Sequence, residues 1–559
     1  MDELKRAVAE AVAKAAKIGK KQAEALIETP KDSSLGDYAF PCFALAKKLR
    51  KNPAEIAAEL KSAIKEGGAV KKVECKGPYL NFFAEKSGVA QKILERIYEE
   101  KDSFGSMNIK NKEALVEHTS INPNAPPHIG RARNAIIGDS IAKLLKFAGY
   151  KTQTHFFVND IGKQIAVLVY GCKGKKRGFN ELLRIYVETS KKMETSPELE
   201  QELFSILKKL ESGDKKTVQA FRRIVDACVE GQAGTFADLG INYDFFDYES
   251  AYLWSRETSN VLEKLKKTGK VFEDKEGRLV LDLKEFDLPM KSPVMVLTRA
   301  DKTSLYGLRD IAYTIDKIKK GKDRNIVVLG EDHKLYFRQL TAALSLLGYR
   351  PPEAIHYSFI LLQSEKMSTR KGNVVLLEDF MKEAKEKAKK EILKRNRQAP
   401  KKELDQLAKA VGYGAVKFSI IKVSPEKNVL FDWQRALSFE GESAPYIQYA
   451  HARIKSILRK NRQKTSTGTS HDYKEEEALV MLLAGFPETV SRATAELKPH
   501  IIANYALKLA EAFNTFYHKY PVLRAEKQKR DARLLLIECV AQTLKNALYL
   551  LGIKAPEKM

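Results

Sequence analysis

The chain has no apolar run long enough to cross a membrane. Its longest uncharged apolar stretch, ALVMLLAGF from Ala478, covers nine residues, whereas a transmembrane helix needs about 18 or more. The first residues, MDELKRAVAEAVAKAAK, alternate charge with alanine and lack the apolar segment of a signal peptide. We therefore expect a cytoplasmic protein with no membrane contact.

Cysteine is scarce, and its spacing lacks the pattern of a metal site. The five cysteines among 559 residues form no C-x-x-C pair, and no two histidines stand at zinc-ligand spacing. We expect reduced, mostly buried thiols and no zinc. Cys539, in the apolar segment LLLIECV, is expected in a core.

The usual glycine-rich nucleotide fingerprints are also missing. The pattern G-x-x-x-x-G-K-[ST] occurs nowhere, and GYGAVK from Gly412 lacks the last glycine of G-x-G-x-x-G. That segment also lies in a region of helical periodicity. These absences argue against a P-loop protein and predict no organic cofactor.

Acidic residues are too few to balance the basic ones. Lys and Arg number 98 against 72 Asp and Glu, which gives a formal net charge of +26. Such a surplus attracts polyanions, and nucleic acid is the commonest large one. The alternative explanation is that the proteome as a whole is rich in lysine, which serves solubility. The net charge alone therefore does not identify the partner.

The periodicity divides the chain into three segments. Residues 1–110 predict a small α+β module, with a helix after Asn52 and a strand–turn–strand over 70–83. Residues 111–381 alternate strands such as ALVEHTS, THFFVND, VMVLT and NIVVLGEDH with helices, which indicates βα units and a parallel sheet. Residues 171–240 are mostly helical and charged, and we interpret them as an insertion. Beyond Lys382 no strands are expected, and 382–559 is predicted to be an all-α bundle.

The segment SINPNAPPHIGRARN predicts a loop that leaves a strand and enters a helix. It contains three prolines that cannot lie inside a helix, Pro123, Pro126 and Pro127. The helix is expected to begin near Gly130, and its free N–H groups would suit a phosphate. His128 can donate a hydrogen bond, and Arg131 and Arg133 add charge. A helix-capping loop without a ligand is an equally good explanation of this pattern alone.

A second loop, SEKMSTRKGNVV, is rich in cations and hydroxyls. It carries Lys366, Ser368, Thr369, Arg370 and Lys371, and Lys382 follows. A loop of this kind can close over a polyphosphate and neutralise charge on a departing pyrophosphate. Taken alone, a basic loop is more often simply exposed to solvent.

Together the two loops resemble the class I aminoacyl-tRNA synthetases. An H-I-G loop follows the first strand of a predicted parallel sheet, and K-M-S follows 238 residues later (366 − 128). Further segments narrow the resemblance to the arginyl-tRNA synthetase family, over essentially the whole chain: FVNDIGKQ, SLYGLRDIAY, VLGEDHK, MSTRKGNVV and SAPYIQYAHARI.

The resemblance implies a two-step reaction on a Rossmann-like catalytic domain. L-Arginine would attack the α-phosphate of ATP, and the arginyl group would then pass to the 3′ end of tRNA(Arg). Members of the family usually need bound tRNA for the first step and use Mg²⁺ with ATP. The resemblance further implies a monomer. In it, the C-terminal bundle would bind the anticodon and the N-terminal module would contact the tRNA elbow.

The two loops supply the residues that the resemblance assigns to ATP and to catalysis. The implied ATP-binding residues are Pro123, Asn124, His128, Ile129, Gly130, Lys366, Met367 and Ser368. The implied catalytic residues are His128, Gly130, Arg131, Lys366, Ser368, Arg370 and Lys371.

Selection of arginine requires a carboxylate and preferably a flat aromatic surface for the guanidinium. Tyr306 and Asp310 stand at i and i+4 and share one face of a helix start, and the resemblance assigns them to the arginine side chain. A packed tyrosine beside a helix-terminal carboxylate is the alternative for this pair. Four further candidates are Asn122 and Asn159, for the backbone groups of the amino acid, and the strand-end residues Asp332 and His333.

The chain departs from the family pattern at three places. Arg131 replaces the second histidine of H-x-G-H, which keeps a cation but loses a neutral donor. Thr369 replaces the second lysine of K-M-S-K-S, so Arg370 or Lys371 would supply that charge. Lys151 and Gln153 stand where family members often carry a glutamate, so no arginine-binding acid is assigned there.

One helix of the bundle carries candidates for RNA contact. Tyr446 and Tyr449, at i and i+3, together with His451 and Arg453, could stack on and pair with unpaired bases. A core stripe is the alternative, because Ile447 and Ala450 share this helix. Tyr517 and Met559 are added as anticodon contacts on the resemblance alone.

Two other functions remain open from the sequence. One is a class I synthetase for a different amino acid, which the pairing of Tyr306 with Asp310 disfavours. The other is a catalytically silent paralogue that only binds RNA, which the two intact phosphate loops disfavour.

Overall fold

The computed structural model describes residues 2–559 except 29, 31, 33–34, 68–69, 85–86, 176, 321, 363–374, 396–399, 462–470 and 472. None of the helices in these ranges combines the length and the apolar character that crossing a bilayer requires. All five cysteines are free thiols, and four are buried, including Cys539, as predicted.

The N-terminal module combines helices with a small antiparallel sheet. Its elements are α1 (Asp2–Ala16), α2 (Lys20–Leu26), β1 (Tyr38–Pro41), α3 (Phe43–Leu49), α4 (Pro53–Ala63), β2 (Val70–Lys76) and β3 (Tyr79–Ala84). The sheet order is β1-β3-β2. Helix α4 begins at Pro53 because Asn52 caps it, its side-chain oxygen accepting from the Ala54 N–H at 2.9 Å. The predicted helix and strand–turn–strand are therefore both present.

The middle of the chain alternates strands with helices. In chain order the elements are α5 (Ser87–Glu100), β4 (Glu113–Glu117), α6 (Ile129–Ala148), β5 (Lys151–Val158), α7 (Lys163–Cys172), α8 (Phe179–Met193), α9 (Pro197–Glu211), α10 (Lys215–Asp238), β6 (Phe245–Tyr248), α11 (Ser250–Leu253), α12 (Arg256–Lys267), β7 (Val271–Glu273), β8 (Leu279–Asp282), β9 (Val294–Val296), α13 (Tyr306–Lys319), β10 (Arg324–Gly330), α14 (Lys334–Leu346), β11 (Glu353–Tyr357) and β12 (Ile360–Leu362). Helices α8 to α10 occupy the segment that was expected to be a helical insertion.

A parallel sheet organises this part of the molecule. Within the described residues its five strands lie in the order β11-β10-β4-β5-β6, and every neighbouring pair is parallel. The chain leaves β4 towards β5 and later returns on the other side as β10. The carboxyl ends of β4 and β10 therefore flank a topological switch point, where open α/β sheets bind ligands. The predicted apolar stripe of α6 is buried: Ile136, Ile137, Ile141, Leu144 and Leu145.

One strand does not belong to this sheet. The VMV strand was expected among the parallel βα units, but β9 pairs antiparallel with β8 in a small sheet of order β7-β8-β9. The expectation was wrong because the connection over 283–293 contains no crossover helix, and parallel neighbours need a longer crossover. The helix that follows, α13, begins at Tyr306 as the pattern indicated.

The C-terminal part is a helical bundle with one short strand among its described residues. Its elements are α15 (Leu377–Arg395), α16 (Lys401–Ile421), β13 (Val429–Phe431), α17 (Trp433–Ala436), α18 (Ala444–Lys460), α19 (Glu477–Ala484), α20 (Phe486–Glu496), α21 (His500–Lys519) and α22 (Lys527–Leu550). Strand β13 pairs in parallel with β12. The expectation that strands end at Lys382 was therefore wrong, because a three-residue strand is too short to show a period.

Candidate active site

A cavity of about 510 Å³ opens at the switch point of the parallel sheet. Its walls are formed by the end of β4, the segments after β4 and β5, the end of β10 and the facing sides of α13 and α14. Its lining includes Glu117, Asn122, Asn159, Asp310 and Lys317. Ionisable and amide side chains thus converge in one concave site, which is the usual composition of a specific polar-ligand pocket.

The turn that leaves β4 is held in an unusual backbone conformation. Thr119 and Ser120, which both line the cavity, have φ values of +74° and +39°, a region that costs non-glycine residues of order 1–3 kcal/mol. The Thr119 N–H donates to Asn134 Oδ1 at 2.6 Å, and Asn134 Nδ2 donates to the Val328 carbonyl at 2.8 Å. The Thr119 hydroxyl also shares a 2.6 Å hydrogen bond with Tyr243. Asn134, itself held by β10, and Tyr243 therefore fix the entrance to the loop.

The loop reaches its helix one residue earlier than predicted, with Ile129 first and His128 as the residue before it. His128 is half-buried, and burial is the main reason that its pKa falls to about 4, with the Arg131 guanidinium adding to the effect. The ring is therefore neutral at physiological pH. Its Nδ1 atom is buried without a hydrogen-bond partner in the described part of the chain.

The chain that follows the K-M-S segment returns beside this loop. The Ile129 N–H donates to the Val375 carbonyl at 3.1 Å, and the Leu377 N–H donates to the Pro127 carbonyl at 2.8 Å. The predicted loop residues Lys366, Met367, Ser368, Thr369, Arg370 and Lys371 lie outside the described residues. Lys382 lies in α15 and forms a 2.8 Å surface ion pair with Glu378, so it takes no part in this site.

The two arginines of the loop have different roles. Arg131 is exposed and lines the cavity. Arg133 is fully buried, and its guanidinium donates to the carbonyls of Ser358 at 2.6 Å and Ser424 at 3.1 Å. The expectation that Arg133 adds charge to a phosphate site was wrong, because two residues along a helix turn the side chain by about 200°.

Asp310 and Tyr306 stand on the cavity wall with a tyrosine that sequence reasoning missed. Tyr336 donates its hydroxyl to Asp310 Oδ2 at 2.7 Å, and its ring lies 4.7 Å from that of Tyr306. Thr314 contributes a longer contact to Asp310 Oδ1 at 3.4 Å. Burial raises the pKa of Asp310 to about 6, despite the nearby Lys317 and the Tyr336 hydrogen bond. No Lys or Arg of the described residues forms an ion pair with this carboxylate.

A second acid, Glu117, was also missed. Its carboxylate is buried and forms an ion pair with the buried ammonium of Lys317, which lies 4.2 Å from the centre of the Tyr313 ring. Both charged groups line the cavity. The sequence signal was an acid at the end of the apolar strand ALVE, but its partner lies 200 residues away.

The remaining amino-acid candidates divide into two groups. Asn122, Asn159 and His333 line the cavity, and Asn122 donates its side-chain N–H to Gln164 at 2.8 Å. Asp332 is not part of the lining, and its carboxylate is 59% exposed beside His333. The loop residues Pro123, Asn124, His128, Ile129 and Gly130 do not line the cavity either. The middle of the phosphate loop therefore adjoins the pocket, while Asn122 before it and Arg131 after it are part of the wall.

The bundle brings three of the RNA-contact candidates together. The Arg453 guanidinium lies 4.7 Å from the ring centre of Tyr449 and 5.4 Å from that of Tyr517. It also donates to the Tyr449 hydroxyl at 3.1 Å. All three are half-buried, as are Tyr446 and Met559, which pack against the bundle core.

His451 does not belong to this group. It is buried, and its Nδ1 atom lies 2.9 Å from the Pro556 carbonyl. The expectation that it contacts bases was wrong, because it holds the C-terminal tail. The alternative of a core stripe also holds for α18, since Ile447 and Ala450 are fully buried. The helix therefore carries a core stripe as well as candidates for RNA contact.

Three family models match the chain. The model described as tRNA synthetases class I (R), catalytic domain, matches residues 93–433. The arginyl tRNA synthetase N-terminal domain matches residues 2–84, and the DALR anticodon binding domain matches residues 447–559. The fold and the cavity therefore belong to a class I aminoacyl-tRNA synthetase.

Relatives that match almost the whole chain show which family of this class it belongs to. The chain is 41% identical to the arginine–tRNA ligase of Methanocella arvoryzae over 92% of both chains. It is 40% identical to that of Methanothermobacter thermautotrophicus over 96% of this chain and 95% of the relative. The solved arginyl-tRNA synthetase of Thermus thermophilus superposes with a TM-score of 0.84 at 30% identity, covering 99% of this chain and all of that one. The chain belongs to the arginyl-tRNA synthetase family.

Proposed function

We propose that the chain activates L-arginine with ATP and transfers the arginyl group to the 3′ end of tRNA(Arg). The observation that carries this proposal is Asp310, whose half-buried carboxylate lines the cavity of about 510 Å³ and forms no ion pair with a described Lys or Arg. A guanidinium is the cation whose planar donors suit such a group. The cavity lies beside a helix N-terminus suited to phosphate.

Arginine would lie with its side chain against α13. Asp310 accepts from the guanidinium, and the Tyr306 and Tyr336 rings supply a flat surface for it. Glu117 stands in the same cavity but is already paired with Lys317, so the two together add no net charge. Asn122, Asn159 and His333 are assigned to the polar backbone of the amino acid, and Asp332 is left out because it does not line the cavity.

The arginine carboxylate then attacks the α-phosphate, and pyrophosphate leaves. Positioning and charge stabilisation dominate such a step. Positioning and charge stabilisation come, on one side of the triphosphate, from the start of α6 with Gly130 and Ile129. The neutral His128 ring and the Arg131 guanidinium add to them on the same side. Pro123 and Asn124 shape the loop. Lys366, Met367, Ser368, Arg370 and Lys371 are assigned to the other side of the triphosphate.

ATP is a substrate and is proposed to arrive as its Mg²⁺ complex, with the ion on phosphate oxygens. In the second step a hydroxyl of the terminal tRNA adenosine attacks the arginyl carbonyl, and AMP leaves. We assign the cytoplasm as the site of action, because translation takes place there, and a monomer as the active form.

The proposed division of labour follows the three segments. Residues 111–381 carry the chemistry, with the insertion near 171–240. Residues 382–559 bind the anticodon, where Tyr446, Tyr449, Arg453, Tyr517 and Met559 would stack on and pair with bases. Residues 1–110 contact the tRNA elbow. The net charge of +26 supports a polyanionic partner.

The test is charging of total tRNA with each labelled amino acid, together with ATP–pyrophosphate exchange in the presence of tRNA. Arginine alone should give a labelled product and exchange. Robust exchange with another amino acid and none with arginine would identify a different class I synthetase. RNA binding without exchange for any amino acid would identify a silent paralogue.

A further inference from the structure

A buried amide from the helical insertion holds the phosphate loop. The Nε2 atom of Gln232, on α10, donates to the Asn122 carbonyl at 3.0 Å and to the Ala125 carbonyl at 2.9 Å. Gln232 is fully buried. Its two N–H groups therefore tie together both ends of the turn that precedes His128.

The orientation of this amide follows from its neighbours. Two carbonyl oxygens face one end of Gln232, and only the NH₂ end can satisfy both, since its oxygen there would meet two lone-pair acceptors. The Oε1 atom is buried without a hydrogen-bond partner among the described residues. A buried unpaired acceptor is destabilising, but an apolar side chain of the same size would take from the two carbonyls of the turn the donors that Gln232 supplies.

The helix that carries Gln232 is anchored on both sides of it. At the preceding residue, Gly231 allows the Phe179 ring of α8 to approach so closely that a Cβ would lie 2.3 Å from it. Six residues further on, Asp238 accepts from the Tyr413 hydroxyl of α16 at 2.7 Å and pairs with Lys409. Gln232 is thus held in place by contacts with the insertion and with the bundle.

We propose that Gln232 is a positioning residue that fixes the Asn122–Ala125 turn, so that the neighbouring His128 and the start of α6 meet the phosphates of ATP. This inference rests on the proposed function of the loop. The turn lies between the amino-acid cavity at Asn122 and the nucleotide site at His128. Gln232 contacts the backbone of this turn and touches neither the amino acid nor the nucleotide. A displacement of about 1 Å in such a loop can lower a rate about 100-fold.

The test compares two variants of α10 in the full-length enzyme. Gln232→Leu removes both donors at similar volume. Thr235→Val is the matched control, because it removes the hydrogen bond from the Thr235 hydroxyl to the Gly231 carbonyl on the same helix without touching the loop. The measurements are kcat/KM for ATP in arginine-dependent pyrophosphate exchange with saturating tRNA, the Kd for tRNA and the melting temperature.

We expect Gln232→Leu to lower kcat/KM for ATP by about 10- to 100-fold while its tRNA Kd and melting temperature stay close to those of Thr235→Val. Equal kinetic losses in the two variants, or a loss of tRNA affinity that matches the kinetic loss, would overturn the inference. Wild-type enzyme that exchanges with no amino acid would instead refute the proposed function.

Gln232→Glu gives a second readout that a purely structural role would not produce. A buried carboxyl facing two carbonyl oxygens has a raised pKa, and its protonated form still donates one hydrogen bond to the turn. Relative to wild type at each pH, exchange by Gln232→Glu should approach normal near pH 6 and fall towards the Gln232→Leu level near pH 9. A ratio to wild type that does not change with pH would contradict the assignment.

Discussion

Arginine binding should be controlled by the ionisation of Asp310. Burial raises the pKa of this carboxyl to about 6, and only its ionised form pairs with a guanidinium. The ionised fraction falls about tenfold for each pH unit below the pKa. Lowering the pH from 7 to 5 should therefore raise the Kd for arginine about tenfold, and arginine binding near pH 6 should release a proton.

The assay is calorimetric titration of arginine into the enzyme without ATP, so that phosphate ionisation does not enter. The guanidinium, α-amino and carboxylate groups of arginine do not titrate between pH 5 and 7, so the slope comes from the protein, and the variant Asp310→Asn shows how much of it comes from Asp310. Asp310→Asn should raise the Kd at pH 7 by about 10- to 150-fold, the equivalent of a charged hydrogen bond worth about 1.5–3 kcal/mol. Its Kd should no longer depend on pH in this range.

Two controls separate binding from folding. Asp316→Asn removes a partly exposed carboxylate of the same helix, which accepts from the Tyr252 hydroxyl at 2.9 Å, and should leave arginine affinity unchanged. A raised carboxyl pKa means that ionisation opposes folding above pH 6, so Asp310→Asn should melt no lower than wild type at pH 8. A pH-independent Kd in the wild type, or equal losses in Asp310→Asn and Asp316→Asn, would refute the reasoning.

Three further predictions concern the nucleotide and the tRNA. His128→Ala should lower adenylate formation by about 10²–10⁴-fold with little change in tRNA affinity; equal changes in both would mean that His128 supports the fold. Arg453→Met should weaken tRNA binding by about 5- to 100-fold, as expected for a stacked base contact, while arginine binding without tRNA stays unchanged; an unchanged tRNA Kd would remove Arg453 from the RNA surface. The Kd for tRNA should rise steeply with salt, and a flat response would mean that the excess positive charge does not form the docking surface.

Local features of the fold were predictable because neighbouring residues decide them. Asn52 and Pro53 fix the start of α4, and Pro127 keeps the preceding loop from running as a helix into α6. Strand β9 was assigned to the wrong sheet and β13 was missed, since pairing between strands depends on residues far apart in the chain. Strand β13 pairs with β12, about 70 residues before it.

The residues of the candidate site also divide into those that the sequence indicated and those that only the structure revealed. The family resemblance singled out Tyr306 and Asp310, and the helical period places them on one face. Tyr336, Glu117 and Gln232 were missed because their contacts span 26, 200 and 110 residues. No local pattern distinguishes a tyrosine or a glutamine in a helix that meets a cavity from one that does not.

The sequence by itself determined most of the order of helices and strands, the proline-rich turn before a helix and the excess of basic charge, because each depends on residues close together or on composition. Only the tertiary structure decided that Glu117 is already paired with Lys317 and that Asp310 is not paired with a described Lys or Arg. The physical reason is the sheet order β11-β10-β4-β5-β6. It brings strand ends from distant parts of the chain to one crevice, where burial and partners set the charge of each side chain.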